Sequence, residues 1–208
     1  MPDAHTFITA NLRLEPAPGL PEIRLYRAHS GSRLRRLTGD SAPPYWAYQW
    51  AGGAVLARHI LKNPNVVQGR RVLDLGTGSG VVAIAAALSG AASVRAADID
   101  PFAIAAATLN AEANGVQVET IESDPLADPP PDCDLILAGD MFYEAGLAHR
   151  VCASLDSWGV ETLVGDMGRK PLPRDRLEPL AQYDVGDFGH PGLLPATVYR
   201  YKPGAPVE

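Results

Sequence analysis

The stretch Val72-Leu73-Asp74-Leu75-Gly76-Thr77-Gly78-Ser79-Gly80 decides how this chain folds. A short apolar run, Arg71–Leu75, has the length of a strand; three glycines at alternate positions follow, and then an alanine-rich apolar run reaches Leu88. That order is strand, turn, helix. Glycines at 76, 78 and 80 permit a tight turn and let a ligand come close to the backbone without meeting a Cβ. The helix that begins here offers free N–H groups, which favour a carboxylate or phosphate. Dinucleotide loops share this logic, but their G-x-G-x-x-G spacing requires glycine at position 81, where this chain has Val81.

Outward from that loop the rhythm is regular. The pattern predicts strands at Arg71–Leu75, Ser93–Ala97, Val116–Ile121, Asp134–Ala138 and Glu161–Val164, then a terminal pair at Tyr183–Phe188 and Thr197–Tyr201. Helices are expected at Gly53–Leu61, from the glycine turn through Leu88, at Pro101–Asn114 and at Glu144–Ser157. Strands alternating with helices of this length imply a mainly parallel sheet covered on both faces, an α/β doubly wound architecture. The last two strands lack a long helix between them, so an antiparallel hairpin should close one edge. Residues 1–42 read as a short N-terminal extension and 43–208 as the main domain. Within the extension a helix is expected near Ala4–Leu12, and Ile23–Arg27 should pair with Arg33–Leu37 across Ser30–Gly31–Ser32.

Composition narrows the function classes. The 208 residues carry 18 Lys and Arg against 24 Asp and Glu, a net charge of −6. Residues 1–70 hold nine basic against four acidic residues, +5, and residues 71–208 hold nine against twenty, −11. Arg24, Arg27, Arg33, Arg35 and Arg36 concentrate the positive charge, yet Tyr26 alone is interleaved with them, too little to stack on successive bases, which argues against nucleic-acid binding. An ordinary solvated face, or a docking surface for an acidic protein, fits better. No apolar run reaches the roughly 18 residues of a membrane helix, and the N-terminus shows no secretory signal. Cys133 and Cys152 are too few for a disulfide framework, so a reducing, cytoplasmic setting is expected. His5, His29, His59, His149 and His190 show no metal-ligand spacing, and no metal is expected.

Two further segments carry chemistry. Ala96-Ala97-Asp98-Ile99-Asp100-Pro101 ends the second main strand about twenty residues beyond the glycine loop, where a carboxylate can accept both hydroxyls of a ribose. Asp100 reads as the N-cap of the next helix. Leu135-Ile136-Leu137-Ala138-Gly139-Asp140-Met141-Phe142-Tyr143 leaves the fourth strand at Asp140. In a sheet wound 3-2-1-4-5, strands 1 and 4 flank the switch point where ligands bind. Asp140 should therefore stand beside the glycine loop. A carboxylate there is costly to bury without a cation or several donors, and a lysine ammonium is a natural partner.

The acidic-x-G-x-G-x-G loop resembles the first motif of the class I, seven-strand methyltransferases, whose fold is Rossmann-like. Asp140-Met141-Phe142-Tyr143 resembles the Asp-x-x-Tyr of their protein-lysine branch. Pro44-Tyr45-Trp46-Ala47-Tyr48-Gln49-Trp50-Ala51-Gly52-Gly53, Val164-Gly165-Asp166-Met167-Gly168-Arg169 and Thr197-Val198-Tyr199 complete a set similar to the electron-transfer-flavoprotein β-subunit lysine methyltransferase family, in its bacterial form. The similarity spans about Pro43 to Tyr201; Met167 stands where proline is usual, which weakens Asp166 as a site residue. The resemblance implies S-adenosyl-L-methionine as cofactor and a lysine of the electron transfer flavoprotein β-subunit as methyl acceptor. It implies that Asp74, Gly76, Thr77, Gly78 and Gly80 line the methionine half of the cofactor. Asp98 would hold the ribose, Ile99 and Asp124 the adenine, and Trp46 and Trp50 would form a cofactor or substrate lid. Asp140 and Tyr143 would be catalytic, with Asp140 orienting a neutral amine for in-line attack. A lysine of another protein, such as a ribosomal protein, or a small-molecule amine are alternative acceptors, and a non-catalytic cofactor-binding protein is the alternative class.

Overall fold

The computed structural model describes residues 3–34, 37, 44–127 and 132–204. Helix α1 (Ala4–Asn11) starts on Asp3, whose carboxylate accepts the Thr6 N–H at 2.8 Å. Strands β1 (Arg13–Ala17) and β2 (Leu20–Arg27) then form a two-stranded antiparallel sheet of their own. Here the expected hairpin was wrong: Ile23–Arg27 pairs with the chain before it, and Gly19, at φ +72°, makes the turn. Arg33 has φ +52° and cannot continue a strand, while Arg35 and Arg36 lie outside the described residues.

The main sheet has seven strands, β3 (Arg71–Leu75), β4 (Ser93–Asp98), β5 (Glu119–Glu122), β6 (Leu135–Gly139), β7 (Thr162–Asp166), β8 (Leu177–Gly186) and β9 (Leu193–Tyr201), in the order β5-β4-β3-β6-β7-β9-β8. The first five are parallel and β9 joins antiparallel to both β7 and β8. This is the doubly wound, Rossmann-like sheet with the expected C-terminal hairpin. The expected strand at Val116–Ile121 begins later, because the Val116 N–H is spent closing the preceding helix on the Ala111 carbonyl at 3.1 Å.

Helices α2 (Ala51–Lys62), α3 (Val81–Leu88), α4 (Pro101–Ala113) and α5 (Ala145–Trp158) cover the sheet. Six of the eight residues of α3 are buried, as an apolar-all-round helix requires. Strand β6 is equally apolar, with Leu135, Ile136, Leu137 and Ala138 all shielded from water at the sheet centre. The described part of the extension packs onto α4. Asn114 and Asn110 accept the Arg24 and Tyr26 N–H groups at 2.9 and 2.7 Å, and Phe7, Ile8 and Leu12 share an apolar cluster with Trp46, Ala103 and Ala106. The Asn110 amide also donates to the Ser79 carbonyl at 2.8 Å, which ties the extension's support to the glycine loop.

No described helix is long and apolar enough to cross a membrane.

Candidate active site

From β3 the chain runs to β4 and β5 on one side, then returns to β6 on the other. The carboxyl ends of β3 and β6 thus open a crevice between them. It is a cleft of about 610 Å³, and Asp74, Gly76, Thr77, Gly78, Asp98, Ile99, Asp124, Asp140, Tyr143, Trp46 and Trp50 all line it. Gly80 stands behind the cleft wall. Its φ of +80° starts α3, and a Cβ there would come within 3.0 Å of the Ala107 backbone.

The loop after β3 is held by carboxylates. Asp74 is fully buried and accepts the Thr77 hydroxyl at 2.6 Å and the Ala83 N–H at 3.2 Å. Burial outweighs both donors and raises its carboxyl to a pKa of about 7. Asp98 accepts the Gly78 N–H at 2.9 Å and the Asp100 N–H at 3.0 Å, so the tip of the glycine loop is tied to the end of β4. Burial raises the Asp98 carboxyl as well, with the loop donors opposing it. Asp100 caps α4 by accepting the Phe102 N–H at 2.8 Å, as the sequence indicated. Beyond them Ile99 is 69 % exposed, an apolar side chain standing free over the cleft. Asp124 is engaged elsewhere: Arg150 donates to it at 2.5 Å and the Leu126 N–H at 3.1 Å.

The other wall is built on close backbone approach. A Cβ at Gly52 would run into the Gly165 carbonyl and the Asp140 carboxylate, one at Gly165 would strike the Gly52 carbonyl, and one at Gly139 would sit 2.9 Å from Gly53. With no side chains intervening, the start of α2 lies against the ends of β6 and β7, and the Gly53 N–H reaches Asp140 Oδ2 at 2.8 Å. Asp140 itself leaves β6 with φ +57°, a conformation uncommon for a side-chain-bearing residue that Asp tolerates better than most. Its N–H donates to the Gly165 carbonyl at 3.0 Å.

Asp140 meets a cation from its own chain, Arg169. Arg169 donates through a terminal guanidinium nitrogen to Asp140 Oδ1, and the same nitrogen lies 3.6 Å from Asp166 Oδ2. Asp166 is fully buried and uses Oδ1 to accept the Gly168 and Arg169 N–H groups at 2.6 and 2.8 Å. Burial raises the Asp140 carboxyl and Arg169 opposes that rise. Although burial lowers the Arg169 guanidinium, Asp140 with Asp166 and Asp187 more than compensates and holds it above its ordinary value. Arg169 ends the segment Gly165-Asp166-Met167-Gly168-Arg169, which by itself does not mark the arginine as part of a site. A signal was available, since β6 and β7 both end in Gly-Asp-Met, at 139–141 and at 165–167.

The two tryptophans separate. Trp46 is 2 % exposed and stacks on Phe102 with centroids 5.6 Å apart, so it is a core residue that reaches the cleft only at its inner wall. Trp50 stands at the mouth, its indole N–H donating to the Tyr45 carbonyl at 2.9 Å. Tyr45 packs against Trp50 on one side and against Tyr143 on the other, centroids 5.2 and 5.4 Å away. Tyr143 is 46 % exposed, and burial of the rest of its ring raises the phenol pKa. Phe188, from the β8–β9 turn, extends this aromatic rim through Trp50.

Known proteins show similar sequences and folds. The family model described as "Ribosomal protein L11 methyltransferase (PrmA)" matches residues 59–139. The electron transfer flavoprotein beta subunit lysine methyltransferase of Xenopus laevis is 39% identical over 214 residues, covering 95% of this chain and 87% of the relative. The protein of that name from Danio rerio is 42% identical (96% and 83% covered), and that from Homo sapiens 35% identical (97% and 83% covered). Among solved structures, a ribosomal protein L11 methylase from Lactobacillus delbrueckii subsp. bulgaricus aligns with a TM-score of 0.51 at 24% identity, over 71% of this chain and 77% of that one. TrmN from Thermus thermophilus aligns with a TM-score of 0.55 at 24% identity, over 72% and 48%. At such identities these structures speak to the fold alone.

Proposed function

The chain belongs to the electron transfer flavoprotein β-subunit lysine methyltransferase family, and we propose that it methylates lysine side chains on that flavoprotein subunit, using S-adenosyl-L-methionine. The observation that carries this reading is one cleft in which the Asp98-anchored glycine loop faces Asp140 beneath an aromatic rim. When bound, S-adenosylmethionine supplies an already activated methyl group, so what remains for the protein is alignment and exclusion of water.

The residues present suit that cofactor. Gly78 has no atom within 4 Å of where a Cβ would be, which leaves room for a ligand against the loop backbone. Asp98 would take the ribose hydroxyls, its burial being offset by such donors. The uncovered Ile99 would gain an adenine face. Asp74, buried and braced by Thr77, lines the same end of the cleft and would favour the cofactor's amino group. With the Asp124 side chain committed to Arg150 and Leu126, the adenine amino group would turn to backbone near Asp124. Trp46 would back the cofactor from the core, and Trp50 would cover it.

On the acceptor side Tyr45, Trp50 and Tyr143 offer ring faces to a lysine's aliphatic stem and ammonium on its way in. Asp140 would orient the amine beside the reacting methyl, and Tyr143 would flank it. Residues 43–208 carry this chemistry, while the described part of residues 1–42 braces α4 behind the glycine loop. Two free thiols, Cys133 and Cys152, are consistent with work in the cytoplasm. The match to the ribosomal protein L11 methyltransferase model stops at Gly139, one residue before Asp140, and so concerns the cofactor half.

Incubating the purified chain with methyl-labelled S-adenosylmethionine and a cell lysate, followed by mass spectrometry, tests the reading. Methylated lysine on the electron transfer flavoprotein β-subunit is the expected result. Label confined to a ribosomal protein or to free amines would overturn the target, and no label despite cofactor binding would overturn catalysis.

A further inference from the structure

Asp140 already has a cation. One of its oxygens accepts the Gly53 N–H at 2.8 Å and the other accepts from Arg169, and both side chains line the cleft with only 15 % and 19 % of their surface exposed. A lysine amine reacts only as the neutral base, because the ammonium has no lone pair to give. An uncompensated carboxylate beside it would stabilise the ammonium and work against the reaction. The arrangement in this cleft removes that conflict.

We propose that Arg169 is a positioning residue that keeps Asp140 ionised and charge-compensated, so that the acceptor amine binds in its neutral, nucleophilic form. The inference rests on the lysine methyl-transfer reading given above. An ionised carboxylate offers about four lone-pair sites, so Asp140 can still accept an N–H from the incoming amine while Gly53 and Arg169 are bound. The lysine's proton goes to solvent water at the cleft mouth as the amine binds beside Asp140, and Arg169 takes the place of the positive charge that the lysine would otherwise have to retain.

The surrounding charges hold Arg169 in that place. Asp166, at the end of β7, lies 3.6 Å from it with Oδ2 buried and otherwise without a hydrogen bond. Asp187, which follows β8 and accepts the Ala51 N–H at 2.9 Å, adds attraction from the third side. Asp140 also faces the N-terminal end of α2 through Gly53, where the helix dipole favours the ionised form. Across the cleft stand Asp98 and the Tyr143 phenol, and burial keeps the phenol protonated at neutral pH. Arg169 is therefore the cation placed to compensate Asp140 within this wall.

The test compares wild type, Arg169→Met and Arg169→Lys, each first checked for S-adenosylmethionine binding and folding. Saturating turnover on electron transfer flavoprotein is followed from about pH 6 to about pH 10, across the range where lysine amines titrate. In Arg169→Met the acidic limb should move to higher pH by about 1–3 units, with activity recovering in alkali. Arg169→Lys, which retains the charge, should stay near the wild-type profile. A loss of activity that is uniform in pH, or an unmoved limb, would overturn the proposal. A second reading needs no turnover: Arg169→Met should gain a carboxylic-acid infrared band at neutral pH that the double variant Arg169→Met/Asp140→Asn lacks. If wild type methylates no lysine but this band appears, the functional reading has failed while the hold of Arg169 on Asp140 stands. If wild type is active and the band is absent, the proposal has failed on its own.

Discussion

Asp74 and Asp140 are both carboxylates at the carboxyl end of a central strand, the first fully and the second largely shielded from water, both near glycines, and they are kept in place by opposite means. Asp74 is satisfied from its own neighbourhood, by the Thr77 hydroxyl three residues on and the Ala83 N–H at the start of α3. Among the described residues no cation reaches it, and its carboxyl titrates near neutrality. Asp140 is satisfied from far along the chain, by Gly53 eighty-seven residues earlier and Arg169 twenty-nine later. A locally braced carboxyl can tolerate being neutral and await a cationic ligand. A remotely paired one has a cation beside it that opposes the rise burial imposes, and its environment depends on how three elements meet.

The comparison breaks most easily at the crowded glycines. Gly165→Ala should cost about 3 kcal/mol or more by thermal or denaturant unfolding, because its Cβ meets the Gly52 backbone, which cannot yield cheaply. Only slight destabilisation there would mean that α2 can retreat from β7. Asp140→Ala should lower methyl transfer by about 100-fold, roughly 2.7 kcal/mol, while calorimetric affinity for S-adenosylmethionine holds. Full activity in that variant would remove Asp140 from the acceptor side.

Asp74 gives a pH test with a definite sign. Its carboxyl holds the proton more tightly folded, at about 7, than the ordinary 3.8 of an unfolded chain. Its contribution to stability is therefore lost as pH rises from about 4 to about 7, by at most about 1.4 kcal/mol per pH unit. Urea unfolding of Asp74→Asn across that window should show a flatter slope than wild type; an identical slope would place the titration elsewhere. The smallest effect is expected at Gly78→Ala, about 1 kcal/mol from its φ of +54° with no clash. Its cofactor affinity should fall by more than its stability, since the open space at Gly78 faces the cleft. A loss confined to stability would make the position structural.

Much of the site was legible in the chain because its pieces are local. The strand–glycine–helix unit, Asp98 at the end of the next strand and Asp100 as a cap are contiguous signals in which hydrogen bonding and backbone conformation are set within a few residues. The hairpin of the extension was misread because two apolar runs do not say which one a strand pairs with; Gly19 and Asn110 decide that through the turn and through α4. Trp46 and Trp50, four residues apart, look alike as sequence, yet one is stacked in the core and the other stands at the cleft mouth.

Sequence alone determined the doubly wound sheet, its switch point and the carboxylates Asp74 and Asp98 beside the glycine loop, since apolar periodicity and glycine placement act over short range. Only the tertiary structure decided that Asp140 meets Arg169. That pairing depends on α2, β6 and β7 meeting through bare backbone at Gly52, Gly139 and Gly165, and an ion pair formed across such a junction has no local period to reveal it.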